Sequence, residues 1–200
     1  MQQKCINDLL NSENSIVLSA PTGSGKTVAF ELAIIRLLHQ QSQQIKFGES
    51  ISAKAVYVAP IKALCAEKFI DWKKRFEVIN VVCTQITGDS NIFNVSVIRD
   101  SQVIVTTPEK WDSITRHWRE YIDIVSAVRV LMVDEVHLLS EDVRGPVLEA
   151  IISRMKTIAD IAKTNVRIIV ASATIPNVED LACWIGGYKN ENVTKLVYVF

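Results

Sequence analysis

The sequence predicts an α/β domain with a mostly parallel central sheet of about seven strands and helices on both faces. Three observations carry this. Apolar β-like runs recur near 15–20, 54–59, 79–84, 102–106, 128–133, 166–171 and 194–200, with helical patterns between most of them. Such alternation means parallel strands joined by helical crossovers that cover both sides of the sheet. A glycine-rich loop closes the first run, and an acidic pair closes the fifth. Ligands of such sheets gather at the carboxyl ends of the strands, where both features sit.

The elements follow in order. Ser15–Ser19 is a short apolar run, and Val28–Leu38 after the loop reads as a helix. The polar stretch Gln40–Ser52, with Gly48, reads as a surface loop. Ile61–Phe76 places Leu64, Cys65, Phe69, Trp72 and Phe76 near helical spacing. Thr107-Pro108 is a helix start, with a capping hydroxyl and proline at the first position. Val143, Val147, Leu148, Ile151, Ile152, Met155 and Ile158 mark another inward helical face. No internal repeat or low-complexity linker is evident.

Composition bounds the class. Two hundred residues fit one domain, and 48% apolar content supplies a full core. No apolar run reaches the length of a membrane span, and no membrane partner is expected. The N-terminus lacks a basic-then-apolar pattern, so an intracellular protein is expected. Cys5, Cys65, Cys83 and Cys183 are scattered without a CxxC pair, and read as reduced, mostly core thiols with no metal site. Formal net charge is zero, so any nucleic-acid site must be local.

The loop Ala20-Pro21-Thr22-Gly23-Ser24-Gly25-Lys26-Thr27 lies between a strand and a helix, the context of a nucleotide-phosphate loop. Gly23 and Gly25 let backbone N–H groups close around phosphate oxygens, and the helix N-terminus adds a positive dipole end. Lys26 is placed to reach the β- and γ-phosphates, and the Thr27 hydroxyl to hold Mg2+. The general pattern has glycine at the first position, where this chain has Ala20. After the run Val128–Val133 comes Asp134-Glu135-Val136-His137. Asp134 would hold Mg2+, directly or through water, and Glu135 would orient and deprotonate the attacking water. A solvated turn is the alternative for an isolated Asp-Glu pair.

Four further segments end strands: Ala59–Leu64, Thr87-Gly88-Asp89, Thr106–Lys110 and Ser172-Ala173-Thr174. Each alone reads as a turn or helix cap. Together, on one rim, exposed helix N-termini and small hydroxyl residues suit the successive phosphates of a strand.

The ordered set APTGSGKT, APIKAL, TGD, TTPEK, DEVH and SAT resembles the first, RecA-like motor domain of a superfamily 2 DExH-box helicase, over nearly the whole chain. The flavour is that of the Ski-like and Brr-like branch. Phe30–Ile34, Ala59–Cys65, Asp71–Lys73, Thr106–Ser113, Arg144–Pro146 and Ser153–Thr157 are most similar to the meiotic crossover, Mer-type, DNA helicases. The resemblance implies ATP and Mg2+ as cofactors. It implies that Pro21 to Thr27 hold the nucleotide and that Gln2 reads the adenine edge, although the aromatic half of that motif is absent upstream. His137, Ser172 and Thr174 would couple the γ-phosphate to domain movement. Pro60, Lys62, Gly88, Asp89, Thr107 and Glu109 would face nucleic acid.

The resemblance further implies that residues 1–200 are a single ATP-binding motor domain, whose second motor domain supplies the arginine fingers. The expected activity is ATP-dependent, 3′-to-5′ movement on single-stranded or branched DNA, in the nucleus, during meiotic recombination. An RNA helicase of the spliceosomal or exosome-linked kind is one alternative. A truncated nucleotide-binding interaction module with little turnover is another. Lys62 can also be read as a solvated lysine, and Gln2 as a helix-start residue. Trp111 and Trp118 could stack on bases, but helical spacing beside Ile114 favours the core. His39 and His117 read as surface residues, and Arg144 as a structural residue at a helix start.

Overall fold

β-branched and apolar runs too short for helices are bounded by polar or glycine-bearing turns, and they become strands buried on both faces. The structure, a computed structural model, describes residues 2–46, 53–88, 95–186 and 193–197. In chain order these are α1 (Gln2–Asn11), β1 (Ser15–Ser19), α2 (Lys26–Lys46), β2 (Lys54–Val58), α3 (Lys62–Glu77), β3 (Cys83–Ile86), α4 (Val95–Asp100) and β4 (Val103–Thr106). Then come α5 (Pro108–Arg116), α6 (Ile122–Val125), β5 (Val128–Asp134), a 3-10 turn (Val136–Ser140), α7 (Gly145–Ile161), β6 (Arg167–Ser172), α8 (Val178–Gly186) and β7 (Val193–Val197). The strands form one seven-stranded sheet in the order β3-β4-β2-β5-β6-β1-β7. Every described pairing is parallel. Among the described residues no helix is long and apolar enough to cross a membrane.

Side-chain alternation along each strand divides the core in two. Ile16, Leu18, Tyr57, Val105 and Met132 point to one face and meet Leu9, Phe30, Ile34, Trp72 and Phe76 of α1, α2 and α3. Val17, Val56, Ile104, Leu131 and Val133 point to the other and meet Trp111, Leu148, Ile151, Met155 and Ile185 of α5, α7 and α8. Trp111 is fully buried, and Trp118 packs half-buried against the same cluster. His39 and His117 are exposed. Cys65 and Cys83 are buried, and burial pushes each thiol up to about 11.

Two boundaries differ from the sequence expectation. The third strand was expected over 79–84, but it runs over Cys83–Ile86. α3 continues to Glu77, and Ile79 and Val81 both donate backbone N–H groups to the Phe76 carbonyl. Asn80, at φ 57°, then turns the chain in a left-handed conformation that asparagine tolerates. The expected loop over 40–52 is helical to Lys46, because its glutamines and serine contain no breaker before Gly48. Residues 47–52 and 198–200 lie outside the described set.

A part-buried ion-pair cluster joins α5 to α7. The Asp112 carboxylate of α5 accepts from Arg154 of α7 at 2.8 Å and from Arg116 at 2.7 Å. Arg154 also donates to Thr115 Oγ1 at 2.7 Å. Burial alone would raise the Asp112 pKa, but the two arginines outweigh it and hold the group below its ordinary 3.8. Asp112→Asn is therefore expected to cost about 1.5–3 kcal/mol near neutral pH, the range for a hydrogen bond to a charged group. The folded pKa lies below the unfolded one, so this contribution is complete above 3.8 and is lost as pH falls through the lower folded value. Denaturant unfolding of both proteins at about pH 7 and about pH 3 should show the gap narrowing in acid. A gap that does not change with pH would mean that the carboxylate charge contributes nothing.

Candidate nucleotide site and nucleic-acid groove

The phosphate loop leaves β1 at its carboxyl end. Ala20 is fully buried, and its N–H donates to the Ser172 carbonyl at 3.0 Å, tying the loop to the end of β6. Gly23 and Gly25 have φ of 80° and 96°, which side chains rarely adopt, and a Cβ at either would meet no protein atom within 4 Å. Both therefore border open space, as a loop that receives a ligand requires. Lys26 opens α2, and its Nζ donates to the Ala20 carbonyl at 3.0 Å, so the ammonium lies across the loop. The Ser24 hydroxyl is buried and lacks a hydrogen-bond partner among the described residues. An orphan hydroxyl, two glycines in left-handed backbone and a helix N-terminus fit an anion with several acceptor oxygens. Pro21, Thr22 and Gly23 form the exposed crest, and Thr27 is half-buried in the first turn of α2.

Asp134 ends β5, which lies one strand beyond β6 from the loop. Its Oδ2 accepts from the Tyr57 hydroxyl at 2.7 Å, and its Oδ1 accepts from the Glu135 N–H at 3.0 Å. Burial, then the neighbouring Asp134 charge, push the Tyr57 phenol far above its ordinary value, so it stays a donor. Glu135 takes a left-handed backbone, φ 52° and ψ 47°, which turns its side chain away from the strand line. Its Oε2 lies 3.2 Å from His137 Nδ1, and the same nitrogen lies 2.9 Å from the buried Ser172 Oγ. Glu135, His137 and Ser172 thus form a connected set whose far end holds the phosphate loop. Thr174, exposed beyond β6, makes no hydrogen bond to a described residue. Gln2 begins α1, but its side chain lies outside the described set.

The second feature is an open groove of about 600 Å³ on the same rim, lined by Pro60, Ile61, Lys62, Gly88, Thr107, Glu109, Lys110 and Arg144. It lies over the ends of β2, β3 and β4, so one half of the sheet carries the groove and the other the phosphate loop. Thr107 stands at the N-terminal boundary of α5 without a side-chain capping bond. Its hydroxyl therefore does not do the capping that the sequence suggested. Asp89 lies outside the described residues.

The candidate residues read from the sequence leave out Tyr57, take Lys110 only as part of the segment Thr106–Lys110, and read Arg144 as structural. Arg144 does precede α7, as expected of a helix-start residue, but its side chain makes no capping bond. It forms no ion pair with a described residue and lines the groove instead. A cation at the positive end of a helix dipole is electrostatically disfavoured. That mismatch was readable from the sequence.

A phosphate loop, an acidic strand end and an open groove share one rim of a parallel sheet, the layout of a nucleotide-binding α/β domain. The chain belongs to the DEAD/DEAH box helicase family, whose model matches residues 1–181. It is 45% identical over 193 residues to the human protein named probable ATP-dependent DNA helicase HFM1, covering 92% of this chain and 13% of that protein. With the ATP-dependent DNA helicase MER3 of Saccharomyces cerevisiae it shares 35% over 212 residues, covering 99% of this chain and 17% of that protein. With activating signal cointegrator 1 complex subunit 3 of Danio rerio it shares 41% over 187 residues, covering 93% and 11%. The chain spans less than a fifth of the length of these relatives. The crystal structure of the DUF1998 helicase MrfA bound to DNA shares the fold, with a TM-score of 0.80 over 98% of this chain and 27% of that one, at 21% identity.

Arg144→Ala separates a structural from a binding role. Removing a cation from a helix start should leave thermal stability unchanged or slightly higher. Affinity for single-stranded oligonucleotides should fall similarly for all sequences, with a log–log salt slope shallower by about 1. Fluorescence anisotropy over a salt series, beside a melting curve, reads both. Lost stability with unchanged binding would return Arg144 to the structural role.

Proposed function

We propose that residues 1–200 are one motor domain, the ATP-binding half of an ATP-dependent DNA helicase that moves 3′-to-5′ on single-stranded or branched DNA. One observation carries the proposal: a phosphate loop, an acidic pair reaching toward it through His137 and Ser172, and a groove lined by two lysines and an arginine share one sheet rim. The relatives named DNA helicases favour DNA over RNA. The meiotic and nuclear setting rests on the resemblance to the Mer-type branch.

In this reading the loop from Pro21 to Thr27 holds the phosphates of ATP. Lys26 leaves the Ala20 carbonyl for the β- and γ-phosphates, and the Ser24 hydroxyl gains the partner it lacks among the described residues. Thr27 and Asp134 hold Mg2+, which when bound neutralises charge on the phosphates. Glu135 orients water and accepts its proton, and Gln2 reads the adenine edge. His137, Ser172 and Thr174 carry the nucleotide state toward a partner domain. Pro60, Lys62, Gly88, Asp89, Thr107 and Glu109, with Lys110 and Arg144, follow a strand's backbone. A second motor domain contributes the remaining positive charge at the γ-phosphoryl.

Two measurements test this. Lys26→Ala should abolish nucleotide binding, whereas Glu135→Gln should bind normally and fail to hydrolyse, because a carboxamide cannot accept the proton. Undiminished affinity in Lys26→Ala would sink the phosphate-loop assignment. Single-turnover hydrolysis with saturating ATP and single strands should be about 10³- to 10⁵-fold slower for this chain than for a longer one that includes the second motor domain. Equal rates would mean that this domain completes its own site. Stronger stimulation of the longer chain by RNA than by DNA would move it to the RNA branch.

A further inference from the structure

Asp134 Oδ2 is already occupied. The Tyr57 hydroxyl donates to it at 2.7 Å from the neighbouring strand β2, and the Glu135 N–H takes Oδ1 at 3.0 Å. Held at both oxygens, the carboxylate is fixed in rotation. Tyr57 itself cannot swing. Its ring is fully buried and meets Phe30 edge-on at 5.4 Å and Trp72 edge-on at 5.0 Å. Phe30 belongs to α2, which the phosphate loop opens, and Trp72 belongs to α3, which begins at the groove residue Lys62. Trp72 is fixed in turn, because its Nε1 donates to Glu31 of α2 at 3.1 Å.

A buried tyrosine hydroxyl needs an acceptor, and which acceptor it takes decides what it can influence. This one crosses the boundary between the groove half and the nucleotide half of the sheet, and ends on the carboxylate assigned to the metal. Neutral donors behind a ligating carboxylate orient it and tune its affinity.

We propose that Tyr57 is a positioning residue for Mg2+: its hydroxyl orients the Asp134 carboxylate, and so sets how tightly this domain holds the metal with its nucleotide. This rests on the reading of Asp134 as a Mg2+ ligand. Tyr57 touches neither nucleotide nor metal, and it acts only through Asp134.

Tyr57→Phe removes the hydroxyl and keeps the ring contacts with Phe30 and Trp72, so the fold is retained. Binding of a fluorescent ADP to this chain is titrated with Mg2+, and again in excess EDTA. The Mg2+ concentration at half-saturation should rise about 10- to 100-fold in the variant. Affinity in EDTA should stay at the wild-type value. In an Asp134→Asn background the same substitution should add little, because the two groups act as one unit. An unchanged Mg2+ midpoint would overturn the proposal. So would an equal loss of affinity in EDTA, which marks a merely structural tyrosine. A different result speaks to the broader reading: a wild-type chain that binds no nucleotide would fail the motor assignment itself, and this proposal with it.

Discussion

Parallel pairing is the constraint on which the rest depends. Each described strand runs in the same direction as its neighbours, so every strand-to-helix connection emerges on one rim. The phosphate loop, the acidic pair, the Ser172 end and the groove segments have no sequence proximity to one another. They meet because β1, β5, β6, β2, β3 and β4 all end there. The order β3-β4-β2-β5-β6-β1-β7 then sorts them, with groove residues over three strands on one side and nucleotide residues over three on the other. A single antiparallel member would have sent its loop to the opposite rim.

The same constraint explains how a chain of zero net charge gathers helix N-termini on one rim. Helices that follow parallel strands begin at that rim, so α2, α3 and α5 turn their positive ends toward it. The opposite rim receives helix C-termini, and buried cations meet them. Arg167, at the start of β6, donates to the carbonyls of Asp8 and Leu9 in the last turn of α1 and of Asn14 just before β1. Burial pushes its pKa down to about 10, so it remains charged at neutral pH. Lys54, at the start of β2, donates to the carbonyls of Ile98, Arg99 and Ser101 at the end of α4. Charge is thus arranged by direction along the strands rather than by surplus.

Features governed by local pattern were legible in the sequence, and features governed by distant contact were not. The phosphate loop and the acidic strand end combine a periodic run with an abrupt polar turn, and each is visible within about a dozen residues. Six of the seven strands could be placed the same way. The third could not, since Val78, Ile79 and Val82 look like strand residues, yet they sit exposed around the Asn80 turn. Tyr57 looks like one more apolar strand residue until its partner, 77 residues away, is known. Arg144 was visible but assigned to the helix behind it. The sequence grouped Lys62, Gly88 and Thr107 on one rim, and the fold adds Arg144 to the groove they line.

Glu135 is where local cost and site geometry meet. A left-handed backbone on a residue with a full side chain costs about 1–3 kcal/mol and persists only when its surroundings enforce it. Here its N–H is held by Asp134, its carboxylate lies against His137, and Val136 is buried immediately after it. The 3-10 turn is in turn braced by Gly145. A Cβ at that position would lie 2.3 Å from the Leu139 carbonyl oxygen. The close approach that only glycine permits brings the start of α7, and with it Arg144, against the turn that carries His137. The groove and the acidic pair are therefore not independent attachments to the sheet.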